Sequence, residues 1–223
     1  MTASTPSNAG RSRWARWQGY WFEEGDLRPL ALLRMGWAIA VLLETANEAL
    51  RAQRYTPMTR SGLEQFHWPL MDFVPPVDEA GFATLLLVAQ IGGWMTLLGA
   101  LPRVGAGLAV FAHGWLFSIS LLNFRNHIYL LLLIGMILMV APSDRRWSVN
   151  ALIRRAWSGV RGPTTGPLWA SRLAKWQAFL IYLFAVLHKA DGRFLDGWAL
   201  QIEMGKHLPK SIFGGWVAAE GWL

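Results

Sequence analysis

The residues with most chemistry to offer are few, and they sit at the edges of long apolar runs. Segment 182–197, YLFAVLHKADGRFLDG, closes an aromatic and aliphatic stretch on His188 and Lys189. Lys189 follows Tyr182 by seven residues, which places both on one helix face, with His188 turned about 100° away. A lysine there has two uses. It can snorkel to water and complement the helix dipole. Buried under the loop that joins the first two apolar runs, it would instead lose its charge by desolvation and become an amine able to take a proton.

A second set, Arg125, Asn126 and His127, precedes the run Ile128 to Ala141. That run is about two-thirds of the roughly 20 residues a crossing helix needs, so completing it draws the three polar residues into its end. Asn126 and His127 bring hydrogen-bond donors and a titratable ring, with Asn123 one turn earlier; hydrogen-bonded structure is the plainer role. A third set lies on the first apolar run. Arg34 and Glu44 are ten positions apart, roughly 15 Å along a helix, so they cannot pair. Glu44 and Glu48 share a face, where like charges repel. The plainer role has Arg34 snorkelling and Glu44 capping a neighbouring loop.

These groups need a scaffold, and composition names its class. Apolar residues make up 53% of the 223, charged residues only 16%, and mean hydropathy is +0.27, values of a membrane protein rather than a soluble one. Five runs approach the length of a span: Leu30 to Leu43, Phe82 to Leu101, Val104 to Leu122, Ile128 to Ala141 and Trp176 to Leu187. The expected fold is all-α, a polytopic transmembrane bundle of about five spans over residues 29–200. Interfacial segments flank it at 1–28 and 201–223. Residues 99–107, GALPRVGAG, have the composition of a tight turn between antiparallel neighbours. Pro69, Pro75 and Pro76 forbid a continuous helix through HWPLMDFVPP, residues 67–76, a loop expected to fold over the bundle mouth. An amphipathic basic stretch around Trp147 to Trp157 suits the membrane surface.

The net charge of +7 does not describe a nucleic-acid binder, because the arginines fall in loops between spans rather than on one soluble face. Their distribution gives orientation instead. With the N-terminus cytoplasmic, the larger share of Arg and Lys lies inside. The first span lies behind Arg11, Arg13 and Arg16, unlike a cleavable signal peptide, so a retained signal anchor is expected. Cysteine is absent, which removes disulfides, thiolate metal sites and cysteine nucleophiles; no metal site is expected.

Five pieces in order resemble a known family: LRMGWAIAVLLETANE, WPLMDFVPP, RNHIYL, DRRWSVNAL and QAFLIYLFAVLHKADGRFLDGWAL. Together they resemble the HTTM (horizontally transferred transmembrane) domain, the membrane domain of vitamin K-dependent gamma-carboxylases and their bacterial relatives. The resemblance implies that Lys189 is the base that deprotonates reduced vitamin K, or another quinol, with His127 and Asn126 assisting. Tyr182, His188, Arg34 and Glu44 are the residues expected around the cofactor. The implied reaction uses oxygen and a hydroquinone to generate a strong base that removes a glutamate γ proton so that carbon dioxide can add, which requires a site shielded from water. It also implies a bacterial cytoplasmic membrane.

There are departures from the pattern. His188 stands where the carboxylases often carry a second lysine, and their further helices and large soluble substrate-binding domain have no counterpart in this chain. Two functions follow as expectations. One is a quinol-dependent carboxylase or epoxidase-like enzyme. The other is a non-catalytic accessory subunit, packed in the lipid bilayer with other membrane subunits of a larger quinone-handling or energy-converting complex. A small transporter is disfavoured, since no pair of Gly/Pro-broken helices marks an inverted repeat.

Overall fold

A computed structural model describes residues 12–60, 73–75, 77–119, 125–160 and 162–190, with backbone alone for 51–60 and for residue 188. Residues 61–72, Asn123, Asp191, Arg193 and the expected C-terminal segment 201–223 lie outside the described residues. The chain divides into two compact units, Met1–Gln177 and Ala178–Leu223.

The first unit begins with a short surface helix, α1 (Arg13–Phe22), opened by Ser12, whose hydroxyl accepts from the Ala15 amide at 3.2 Å. It buries nothing. Trp14 stacks on Trp17, and the Arg172 guanidinium sits 4.2 Å from the Tyr20 ring centroid. Four long helices follow: α2 (Arg28–Arg60), α3 (Glu79–Leu98), α4 (Pro102–Ile119) and α5 (Asn126–Val140). They run up and down in sequence, and α4 packs between α3 and α5. A surface helix α6 (Val149–Ser158) separates them from α7 (Trp169–Lys189), which starts in this unit.

Each of the five expected apolar runs coincides with a helix over most of its described residues, the second ending at Leu98 and the fourth at Val140. Among the described residues, three helices are long and apolar enough to cross a membrane: α2 over Arg28–Leu50, α3, and α7 over Trp169–Leu187; α5 is apolar but shorter. The expected turn at residues 99–107 is shorter than its composition suggests. Gly99 ends α3 in the left-handed conformation, φ 69°, and Pro102, which has no amide proton to leave unpaired, opens α4. Gly105 therefore lies inside α4, facing Gly92 of α3. A Cβ on Gly92 would lie 2.5 Å from the Gly105 carbonyl oxygen, and one on Gly105 2.7 Å from that of Gly92. These glycines bring two helix backbones together, as small residues do between membrane helices.

A core of Leu30, Trp37, Val41, Ala106, Leu131 and Leu138 fills the middle of the bundle, and the Trp37 indole donates to the Leu131 carbonyl at 2.8 Å. A second cluster joins Phe82, Leu85, Ala112 and Leu116 to Val74. Through Val74 the described end of the proline-rich loop packs on α3 and α4.

At the end of the bundle where α2 starts, β1 (Glu24–Asp26) pairs antiparallel with β2 (Thr165–Pro167), Gly25 opposite Gly166. Arg172 bonds Glu23 at 2.6 Å beside this clasp. The amphipathic stretch expected around Trp147 to Trp157 is α6, capped by the Ser148 hydroxyl, with Leu152, Ile153 and Trp157 exposed.

Candidate functional site

The polar residues of α2 go to opposite ends of the bundle. Arg34 is fully buried, 0% exposed, and does not snorkel to water. Its guanidinium donates to the carbonyls of Ser143 at 2.6 Å, Arg146 at 3.4 Å and Trp147. The α5–α6 loop is thus threaded onto α2. Trp147 is held there at φ 46°, a conformation that costs a bulky residue roughly 1–2 kcal/mol. Arg103 adds a bond to the Ala141 carbonyl at 3.2 Å, and Arg154 binds the Asp144 carboxylate at 2.7 Å.

The other end gathers Glu44, Thr45 and Glu48 from α2, His113 from α4, and the start of α5. Glu44 and Glu48 were expected to repel, but a cation lies against both. Arg125 Nη1 is 3.0 Å from Glu44 Oε1, and Nη2 contacts Glu48 Oε1. The local backbone explains why it is free to do so. Arg125 is the N-cap of α5, makes no side-chain cap, and carries no acceptor with which to make one. His127 Nε2 lies 3.6 Å from Glu44 Oε2, with the His127 side chain 63% exposed; Asn126 is exposed in the same turn.

A narrow, half-open recess with an enclosed volume of about 20 Å³ lies among these groups. Phe82, Leu116, Phe117 and Ile128 give it apolar walls, and Glu44, Glu48, Arg125 and His113 its polar ones. Thr45 and His113, 2% and 3% exposed, lie 3.1 Å apart, Oγ1 to Nε2. An apolar pocket with a few convergent polar groups is the usual form of a small-molecule site.

A family model for the HTTM domain matches residues 22–223. The chain belongs to the HTTM domain family. This HTTM protein is therefore a membrane protein related to the membrane domains of vitamin K-dependent carboxylases, and its apolar helices suit a lipid bilayer. No solved structure matches the chain.

The expected site residues of the HTTM bundle fall into three places. Glu44, Asn126 and His127 meet at the acidic end of the first unit. Arg34 belongs to the opposite end. Tyr182, His188 and Lys189 lie on α7 in the second unit, Lys189 as the helix's last residue. Lys189 and Tyr182 are exposed, so the dry surroundings expected of the lysine are not provided by the described residues. Sequence reasoning missed His113 and Thr45 as members of the site. The available signal was a histidine placed among apolar and small residues in FAHGWLF.

Proposed function

We propose that this protein binds a hydroquinone, reduced vitamin K or another quinol, in the recess beside Glu44, Arg125 and His113, and uses it in carboxylation or epoxidation. The recess carries the reading. Its aromatic and aliphatic walls suit a flat ring, and its carboxylates and imidazole suit the hydroxyls at the ring's edge. When bound, the quinol supplies the reducing equivalents and, with oxygen, the strongly basic chemistry.

The chain's own residues hold and move protons. Family resemblance assigns Lys189 as the base that takes the quinol proton and gives Asn126 and His127 orienting and charge-stabilising roles. Tyr182 and His188 enter as neighbours of the base on the same resemblance. Arg34, at the other end and bonded to loop carbonyls, supports the scaffold in this reading. In this reading the chain crosses a bacterial cytoplasmic membrane about five times, with the N-terminus inside.

The test uses the full chain in lipid nanodiscs, supplied with reduced vitamin K under oxygen. We expect quinol oxidation to fall about a hundredfold in Lys189→Ala. A variant that consumes quinol as fast as the parent removes the catalytic proposal.

One observation favours a second reading, the accessory subunit. Only 11% of the α7 span is buried within the chain, against 39% for α2 and 33% for α3, which leaves an apolar helix surface open to lipid or to another subunit. Gentle extraction and sizing separates the two. Comigration with a large assembly supports the subunit; a free monomer or homodimer that turns over quinol supports the enzyme.

A further inference from the structure

Two short helices leave their apolar residues uncovered at the end of the bundle where α2 begins. Neither α1 nor α6 buries a residue, yet both are sided. In α6, Leu152, Ile153, Ala156 and Trp157 share one face and are all exposed, Trp157 at 90%, while Arg154, Arg155 and Ser158 take the other. In α1, Trp14, Gln18 and Phe22 follow one another at four-residue spacing along a side turned away from Tyr20, whose ring meets Arg172.

The chain holds both helices at one level. Only residues 23–27 separate α1 from α2, and residues 141–148 separate α5 from α6. Beyond α1, β1 pairs with β2, and Arg145 and Arg146 from the α5–α6 loop donate to the carbonyls of Thr165 and Thr164. Arg34 ties the same loop to α2. The two helices are therefore fixed to one frame beside the ends of apolar helices, where the headgroup layer of a bilayer lies.

Charge names the occupant. Neither helix contains a carboxylate. Among the described residues at this end, Glu23, Asp26 and Asp144 are each met by an arginine, which leaves Glu24 against Arg13, Arg16 and Arg155. An anionic headgroup layer answers that surplus. Trp147 is an independent sign. Its side chain is 52% exposed although its backbone is held at φ 46° by the bond from Arg34 to its carbonyl. Strain of this kind collects at sites that use it, and an exposed indole is best placed at the boundary of lipid and water.

We propose that α1 and α6 form one docking platform for the anionic headgroups of the adjoining leaflet, with their apolar faces entering the acyl boundary and Arg13, Arg16 and Arg155 meeting lipid phosphates. What the platform recognises is lipid charge, and it stands independently of what the recess binds.

The sequence has no cysteine, so a single cysteine placed at Gln18 or at Ala156 can carry a fluorophore on the full chain. Its quenching by doxyl-labelled lipid is compared in nanodiscs of phosphatidylcholine alone and in nanodiscs with about 30% phosphatidylglycerol. At both positions the ratio of docked to undocked probe should be about tenfold higher in the anionic discs, and the gain should shrink in about 0.5 M salt. Arg13→Gln, Arg16→Gln and Arg155→Gln together should remove the difference between the discs and leave the helix content unchanged. Equal quenching in both discs, quenching in neither, or the parent's preference in the folded triple variant would each overturn the proposal. A probe shielded from aqueous iodide in native membranes but not in anionic discs would give the surface to an acidic protein instead, and would overturn it equally. The parent's lipid preference decides even if the triple variant does not fold.

Discussion

At the residue scale, the two ends of α2 show two ways of keeping charge inside a bundle. Arg34 satisfies its guanidinium with backbone carbonyls, which also tie down the loop that supplies them. Replacing it with Met keeps the bulk and leaves those carbonyls unpaired. We expect Arg34→Met to destabilise the protein by about 3 kcal/mol, read as loss of denaturant resistance in detergent. Arg125 instead compensates two carboxylates at once. Arg125→Ala should be destabilising, and adding Glu48→Gln should recover part of the loss, giving a non-zero coupling in a double-mutant cycle. This arrangement was only half legible in the sequence. The shared face of Glu44 and Glu48 follows from their spacing, but the cation that answers them comes from a helix start 77 residues beyond Glu48, and no local rule connects the two. His113 was hidden for the same reason, since its partner Thr45 lies 68 residues away.

Asp144, in the α5–α6 loop, gives a pH dependence. Burial tends to raise its pKa, but the hydrogen bond and charge of Arg154, aided by Arg103, outweigh this and hold it below the ordinary value of 3.8. The folded state thus binds the proton less well than the unfolded chain. Its contribution is full above the unfolded value and disappears as pH falls through the folded one. Arg154→Ala should therefore lower stability at pH 7 and flatten its dependence on pH below about 4 in acid titrations followed by circular dichroism.

At the scale of elements, apolar length located every long helix, because a span must satisfy its own backbone wherever water is missing. Glycine was harder to interpret. The same residue type ends α3 at position 99 and lets α3 and α4 touch at positions 92 and 105, and composition does not separate a turn from a close approach. The structure makes the distinction testable. Gly92→Ala should cost about 2 kcal/mol, because its Cβ has no room against α4. Gly107→Ala, whose Cβ would meet only Met139, at 3.5 Å, among the described residues, should be neutral or slightly stabilising, since alanine favours a helix. Thermal unfolding of the two variants side by side gives the comparison.

At the scale of the whole molecule, charge separates the two ends of the bundle. The end where α2 begins carries Arg28, Arg103, Arg145, Arg146, Arg154 and Arg172, and the positive-inside rule predicts that this end faces the cytoplasm. The absence of cysteine from the sequence gives a clean readout. A single cysteine introduced at Ser158, the last residue of α6, should be protected from a membrane-impermeant maleimide in intact cells, and one at Asp78, before α3, should react. The reverse pattern would invert the topology.

The pairing of Glu24–Asp26 with Thr165–Pro167 also imposes an order of events during synthesis. The first strand leaves the ribosome well before the second exists, so its edge must wait, unpaired, while the helices α2 to α6 are made behind it. Only when the segment ahead of α7 emerges can that edge be closed, making the synthesis of β2 the step that completes the clasp.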